Sequence, residues 1–94
     1  MRYFFKVYGC WHGANEHLSN DPINYNKQSE FHYLAIDHIS DITGNSVTMT
    51  NGDYFCLDEY NMDKLKEFMY HHECRFIDNL GHEWRPSQSM TTVR

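Results

Sequence analysis

The chain has 94 residues, three cysteines and a formal net charge of −5 with its histidines neutral. A chain of this length folds as one domain with one small core, which disfavours a deep cofactor site. No apolar run is long enough to cross a bilayer, and the charged N-terminus lacks a signal-peptide pattern, so we expect a cytoplasmic protein with reduced thiols and no membrane partner.

The acidic residues are concentrated in the middle of the chain. No lysine or arginine occurs between Lys27 and Lys64, whereas this stretch contains seven acidic residues. A field of one sign repels phosphate backbones and attracts basic surfaces, so the pattern disfavours direct nucleic-acid binding and favours a basic protein partner. The alternative is that these carboxylates are solvated loop and cap residues.

The aromatic content is high for so short a chain, with seven Tyr, six Phe and two Trp. A small core cannot bury all of these rings, so some of them must be exposed. Exposed Tyr and Trp side chains are favoured in protein interfaces, although small domains expose some aromatic residues in any case.

In chain order, the aromatic and β-branched residues 2–11 predict a first strand, in which Gly9 marks a bulge or a close approach of another backbone. The polar residues 12–30 predict a long loop. Residues 31–43 predict two short strands or one bent strand, because their two-residue apolar alternation breaks near Asp37-His38.

The clearest local signal is the Asn51-Gly52 pair between two β-patterned runs, which predicts a hairpin. A two-residue loop would divide the apolar residues between both faces of the hairpin. A three-residue loop, with Gly52 in the left-handed conformation, gives a single apolar face, so we favour this register. The residues on that face are then Val47, Met49, Phe55 and Leu57.

A helix is predicted after the hairpin, with Asp58 or Asn61 as its N-cap and Gly81 as its C-terminal stop. Its apolar stripe has helical spacing. The stripe consists of Met62, Leu65, Phe68, Met69, Phe76, Ile77 and Leu80.

The order of elements predicts an α+β fold. We expect a small antiparallel sheet of four or five strands, flat or curled into an open barrel, with one C-terminal helix packed on it. Residues 1–81 form the single domain, and residues 82–94 are a polar, flexible tail from which Trp84 docks back.

A zinc site is the sharpest candidate for chemistry, with Cys10, His12, His71 and Cys74 as its ligands. Helix geometry places His71 and Cys74 on the side that faces away from the sheet, so the strand residues could not easily reach them. The spacings also match no standard zinc motif. We therefore predict no bound metal and no cofactor.

No catalytic motif or constellation is found in the sequence, which favours a protein that is not an enzyme. A nucleophilic cysteine needs a lowered pKa and a base within reach. Cys56 stands close to Asp58 and Glu59, whose negative charges oppose a thiolate, so we interpret the thiols as structural.

These observations favour a non-enzymatic protein-binding module with an acidic, aromatic-containing surface. The expected contact residues are Asp37, Asp41, Asp53, Tyr54, Asp58 and Glu59. The strand, strand, hairpin, helix plan is similar to that of many small bacterial and phage proteins. One version, which fits the small size, the acidity and the lack of catalytic motifs, is a phage or mobile-element inhibitor of a host nucleic-acid-binding protein. The alternatives are a homo-oligomeric structural protein, such as a homodimer, with residues 2–11 paired edge to edge, and a zinc-binding protein.

Overall fold

The structure is a computed structural model that describes residues 2–14 and 28–86. Five strands form one antiparallel sheet in the order β2-β1-β5-β4-β3, and helix α1 packs against β1 and β5. The predicted α+β fold is thus confirmed. The elements are β1 (Phe4–His12), β2 (Glu30–Ala35), β3 (Ile39–Thr43), β4 (Ser46–Met49), β5 (Tyr54–Leu57) and α1 (Glu59–His71).

The first strand extends to His12, one residue beyond its prediction, and β2 begins at Glu30. The predicted loop 12–30 lies mostly outside the described residues. In the two described ranges, no helix is both long and apolar enough to span a bilayer.

A short 3-10 turn, Ile36–His38, connects β2 to β3 and confirms the predicted bend. These two strands occupy opposite edges of the sheet, which would lie about 19 Å apart if the sheet were flat. The backbone from Ala35 to Ile39 reaches at most about 14 Å. The sheet must therefore curl so that its edges converge at this turn, but it does not close into a barrel.

The β4–β5 hairpin has the three-residue loop that the sequence predicts. The Met49 N–H donates to the Asp53 carbonyl oxygen at 2.8 Å, and the Gly52 N–H donates to the Met49 carbonyl oxygen at 2.9 Å. Gly52 has a φ of +93°, a conformation that glycine adopts without steric cost. Val47 lies opposite Phe55, so both side chains point to the same face, as predicted.

The core lies between α1 and the face of the sheet that this register makes apolar. Strand residues and helix residues both contribute, and Leu65 and Val47 are 0% exposed. Among the described residues, the buried apolar set is Val7, Leu34, Val47, Phe55, Leu57, Met62, Leu65 and Met69.

The helix ends at His71, so the prediction that it continues to Gly81 is wrong. Glu73 adopts a left-handed φ of +71°, and the N–H of Cys74 returns to the Met69 carbonyl oxygen at 2.9 Å. This turn satisfies the Met69 carbonyl and redirects the chain away from the helix axis.

The residues after this turn form a second, two-stranded sheet, β6 (Phe76–Ile77) with β7 (Glu83–Trp84). The Trp84 ring packs edge-on against Phe76 and Tyr70, with centroids 5.5 and 6.2 Å away, as expected for a docked Trp84. Arg75 donates two hydrogen bonds of 2.9 Å to Glu83, and they lower the pKa of that carboxyl. Residues 83–84 of the predicted tail are thus paired in a strand.

Candidate functional site: an aromatic face of the sheet

The sheet face opposite α1 carries a group of exposed aromatic rings. Val7 and Leu34 point into the core, so the neighbouring residues of β1 and β2 point to the other side. Four of those neighbours are aromatic, and we call them the aromatic face. They are Phe4, Tyr8, Phe31 and Tyr33, with exposures of 54%, 42%, 64% and 67%.

The antiparallel register of β1 and β2 brings these rings into one patch. Tyr8 lies directly opposite Phe31, and their ring centroids are 4.8 Å apart at an interplanar angle of 61°. Tyr33 lies opposite Lys6, and Phe4 lies opposite Ala35. Side chains on adjacent positions of paired strands are in contact range, so the patch is continuous.

Two cations pack on the rings of this face. The Lys6 Nζ lies 4.5 Å from the centroid of the Phe31 ring, and the Arg2 guanidinium carbon lies 5.3 Å from that of Phe4. Both distances suit a cation–π interaction. Arg2 also forms an exposed ion pair of 3.7 Å with Asp37, one of the predicted contact residues.

The area of the aromatic face is comparable to that of the largest apolar patch on a typical monomer. Taking about 200 Å² for a fully exposed ring, the four side chains present about 450 Å² to solvent. The largest apolar patch of a typical monomer covers about 300–600 Å² and is often functional. The face would supply about half of the 800 Å² that each partner contributes to a standard protein interface.

Asp53, a predicted contact residue, is held by hydrogen bonds within the chain. Its carboxylate accepts from the Trp11 Nε1–H at 3.2 Å, the Ala14 backbone N–H at 3.0 Å and the Asn51 side-chain amide at 3.4 Å. These bonds fix the end of β1 to the β4–β5 turn. The carboxylate therefore has a structural role at this position.

Asp58 is the N-cap of α1, and Glu59 is the first residue of the helix. The Asp58 carboxylate accepts from the Asn61 backbone N–H at 2.7 Å and from the Asn61 side-chain amide at 2.9 Å. These two hydrogen bonds hold the pKa of Asp58 below its usual value of 3.8. The Asn61 side-chain oxygen in turn accepts the Tyr8 N–H at 3.0 Å, which joins the helix start to β1.

We expect Asp58→Ala to lower the melting temperature by about 5 °C, because the Asn61 N–H loses its acceptor.

Asp58→Asn keeps an acceptor oxygen and removes the ionisation. Because the folded pKa is lowered, the stabilisation is complete above pH 3.8 and is lost as pH falls through the folded pKa. Thermal melts between pH 2 and pH 7, followed by circular dichroism, should show wild type losing its advantage over Asp58→Asn only at the acidic end. A difference that stays constant over this pH range would contradict the contribution of the ionised Asp58 carboxylate.

The remaining predicted contact residues lie apart from one another. Asp41 is exposed in β3 and accepts a hydrogen bond from the Thr43 hydroxyl. Tyr54 is half-buried in β5, and its ring stacks on His12 with centroids 4.7 Å apart. Asp53 and Asp58 stand at opposite ends of β5, about 17 Å apart along an extended strand. The six predicted residues thus form no single patch.

The candidate zinc ligands are also not brought together. His71 is exposed at the C-terminal end of α1, and Cys74 packs against the core beyond it. Cys10 and His12 lie on the opposite face of the sheet, where His12 stacks on Tyr54. Across residues 2–14 and 28–86, no group of three or more His, Cys, Asp or Glu side chains is arranged to hold a metal ion.

Strand β1 lies inside the sheet, with β2 on one side and β5 on the other. Residues Phe4–Gly9 pair with β2 and residues Gly9–His12 pair with β5, so each part of β1 already has one partner strand. The edge-to-edge pairing expected for residues 2–11 in a homo-oligomer stays a prediction, and it would have to use the other side of each part. The edges of the described sheet are β2 and β3.

Sequence reasoning did not identify the members of the aromatic face, although it required some aromatic side chains to be exposed. The alternation of β2 around Leu34 does place Phe31 and Tyr33 opposite the core. The pairing of Tyr8 with Phe31 requires the register of two strands that are distant in sequence. No protein-family model, curated protein or solved structure matched this chain significantly.

Proposed function

We propose that this protein is a non-enzymatic binding module that engages a partner protein through its aromatic face. The observation that carries the proposal is the contiguous patch of four exposed rings on a rigid antiparallel sheet. Aromatic side chains provide a large contact area at a small cost in conformational entropy, and they dominate the energy of protein interfaces. Because strand pairing fixes the backbone beneath these rings, the face needs little ordering on binding.

The formal net charge of −5 favours a partner with a basic surface. The carboxylates of Glu30 and Asp58 lie outside the aromatic face, because the alternation of β2 turns Glu30 to the side of Leu34 and Asp58 caps α1, which packs on the opposite face of the sheet. The negative net charge speeds docking onto a positively charged surface, while the rings supply most of the affinity. A basic groove of a nucleic-acid-binding protein is one surface of this kind, which suits an inhibitor that occupies the groove.

The double variant Phe31→Ser/Tyr33→Ser tests the proposal. We expect it to recover at least about tenfold less partner than wild type, because the loss of two interface anchors costs more than the 1.4 kcal/mol that corresponds to a factor of ten. The matched control is Tyr60→Ser/Leu80→Ser, whose side chains are 68% and 75% exposed and lie outside this face. Tagged proteins would be incubated with source-cell lysate at low and moderate salt, and retained proteins would be quantified by mass spectrometry.

Circular dichroism should show that both double variants are folded, since all four side chains are largely exposed. Equal loss of the partner in both variants, or no loss in either, would contradict the assignment of the aromatic face. Recovery of only the protein itself, lost in the Phe31/Tyr33 variant alone, would identify the face as a homodimer contact. Specific recovery of RNA or DNA with the same dependence would identify a nucleic-acid surface in place of a protein one.

A further inference from the structure

The sheet places two of the three cysteines directly opposite each other. Cys10 in β1 is the register partner of Cys56 in β5, although the residues are far apart in sequence. Directly opposite residues of an antiparallel pair project their side chains to the same face. Both cysteines are half-buried on the side of the sheet that carries the aromatic face, and Cys10 follows Tyr8 on that side by one two-residue step.

The hydrogen bonds around β5 show whether Cys10 and Cys56 form a hydrogen-bonded or a non-hydrogen-bonded pair of opposite residues. The Leu57 N–H donates to the Asn45 carbonyl at 2.8 Å, and Met49 donates to Asp53, so the odd-numbered residues of β5 direct their backbone groups toward β4. Cys56 therefore directs its backbone groups toward β1. Cys10 and Cys56 form a hydrogen-bonded pair, for which the Cα atoms lie about 5.5 Å apart.

This separation permits a disulfide, but not a relaxed one. Disulfides have Cα–Cα distances of about 4.4–6.8 Å, so the backbone positions are suitable. Their Cβ atoms are about 3.8 Å apart, whereas Cβ atoms of directly opposite residues are about 4.5–5.5 Å apart and are at the wide end in hydrogen-bonded pairs. Closing the bond must draw the two strands together, and a strained disulfide is more easily reduced.

We propose that Cys10 and Cys56 form a reversible cross-strand disulfide, a redox-sensitive modification site beside the aromatic face. The oxidant is a small disulfide such as oxidised glutathione. One cysteine thiolate attacks it, forming a mixed disulfide and releasing one glutathione thiolate. The second cysteine thiolate then attacks the protein sulfur and releases the other. Two protein thiols thus lose two protons and two electrons, and one oxidised glutathione becomes two reduced molecules.

The surroundings of the two sulfurs are compatible with this exchange. The Ser46 hydroxyl lies 3.8 Å from the Cys56 Sγ, and the Cys10 Sγ lies 4.0 Å from the Trp11 carbonyl oxygen. Neither cysteine residue is fully buried, which the approach of a small disulfide requires. The third cysteine, Cys74, packs against the core after α1 and serves as an internal control.

The test uses wild type, Cys74→Ser, Cys10→Ser and Cys56→Ser, each equilibrated with glutathione buffers of increasing oxidised fraction. Samples are quenched with acid, alkylated and analysed by mass spectrometry. On oxidation, we expect the mass of wild type and of Cys74→Ser to fall by that of two hydrogen atoms. Cys10 and Cys56 should then carry no alkyl group. We expect Cys10→Ser to carry a glutathione adduct on Cys56 and no internal bond. Excess reduced glutathione should restore both thiols in wild type.

Three results would overturn the proposal. The first is the accumulation of glutathione adducts on Cys10 or Cys56 in wild type without an internal bond. The second is a bond that involves Cys74. The third is a Cys10–Cys56 bond that reduced glutathione does not open, since that would be an unstrained structural disulfide. None of these results depends on the aromatic face having a partner.

Discussion

Replacing Leu65 by alanine should lower the free energy of unfolding by about 2–5 kcal/mol. Leu65 is 0% exposed and lies in the middle of the face that α1 turns toward the sheet. Truncation removes its contacts and leaves a cavity, because the strands on the other side are held in place by their own hydrogen bonds. Small domains are stable by only about 5–15 kcal/mol, so this substitution removes a large part of the total.

The measurement is urea unfolding followed by circular dichroism, with Tyr60→Ala as the control on the same helix. Tyr60 is 68% exposed, and its replacement should change the stability by less than about 0.5 kcal/mol. Leu65→Ala should lower the urea midpoint while the slope of the transition stays the same, because the folded state keeps its overall burial. Equal midpoints for the two variants would mean that α1 does not pack on the sheet through this residue.

The elements that the sequence predicted correctly are those whose signals are local. The Asn51-Gly52 turn and the alternation on either side of it specify the same register, and the structure has that register. The N-cap at Asp58 is also local, because its partner Asn61 is only three residues away. In both places, side-chain type and spacing restrict the backbone without any help from distant parts of the chain.

The end of the helix could not be predicted from the same kind of pattern. Phe76 and Ile77 continue the apolar spacing of α1, so periodicity alone extends the helix through them. They are instead paired with Trp84 and Glu83, residues that the sequence placed in a tail. The left-handed residue that breaks the helix is Glu73, not a glycine, and composition gives no sign of it.

The candidate site could not be predicted from the sequence for a related reason. Counting charges identified acidic residues, but it could not show that Asp53 already accepts three hydrogen bonds or that Asp58 caps a helix. Both the aromatic face and the Cys10–Cys56 pair depend on which strands are neighbours. Strand order is set by long-range packing, which a single sequence reveals poorly.

Gly9→Ala should destabilise the protein by about 1–3 kcal/mol, because the added methyl group has no space. Gly9 is buried where β1 passes from β2 to β5 and pairs with both Glu30 and Leu57. A Cβ on this residue would lie 2.6 Å from the Cys56 carbonyl oxygen and 2.5 Å from the Leu57 Cδ2. The leucine side chain can rotate away, but the carbonyl belongs to the backbone of a central strand. Of the two alternatives that the sequence left open for Gly9, a bulge or a close approach of another backbone, the short distance to the Cys56 carbonyl oxygen supports the close approach.

The control for this prediction is Gly13→Ala, whose Cβ would lie 3.3 Å from the Trp11 ring, a side chain and not a backbone group. Urea unfolding should give a clearly lower midpoint for Gly9→Ala than for Gly13→Ala. The comparison also bears on the cysteine pair, because the clash at Gly9 and the opposition of Cys10 to Cys56 arise from the same contact between β1 and β5. If Gly9→Ala is as stable as wild type, these two strands lie farther apart than their register requires. A direct Cys10–Cys56 disulfide would then be out of reach.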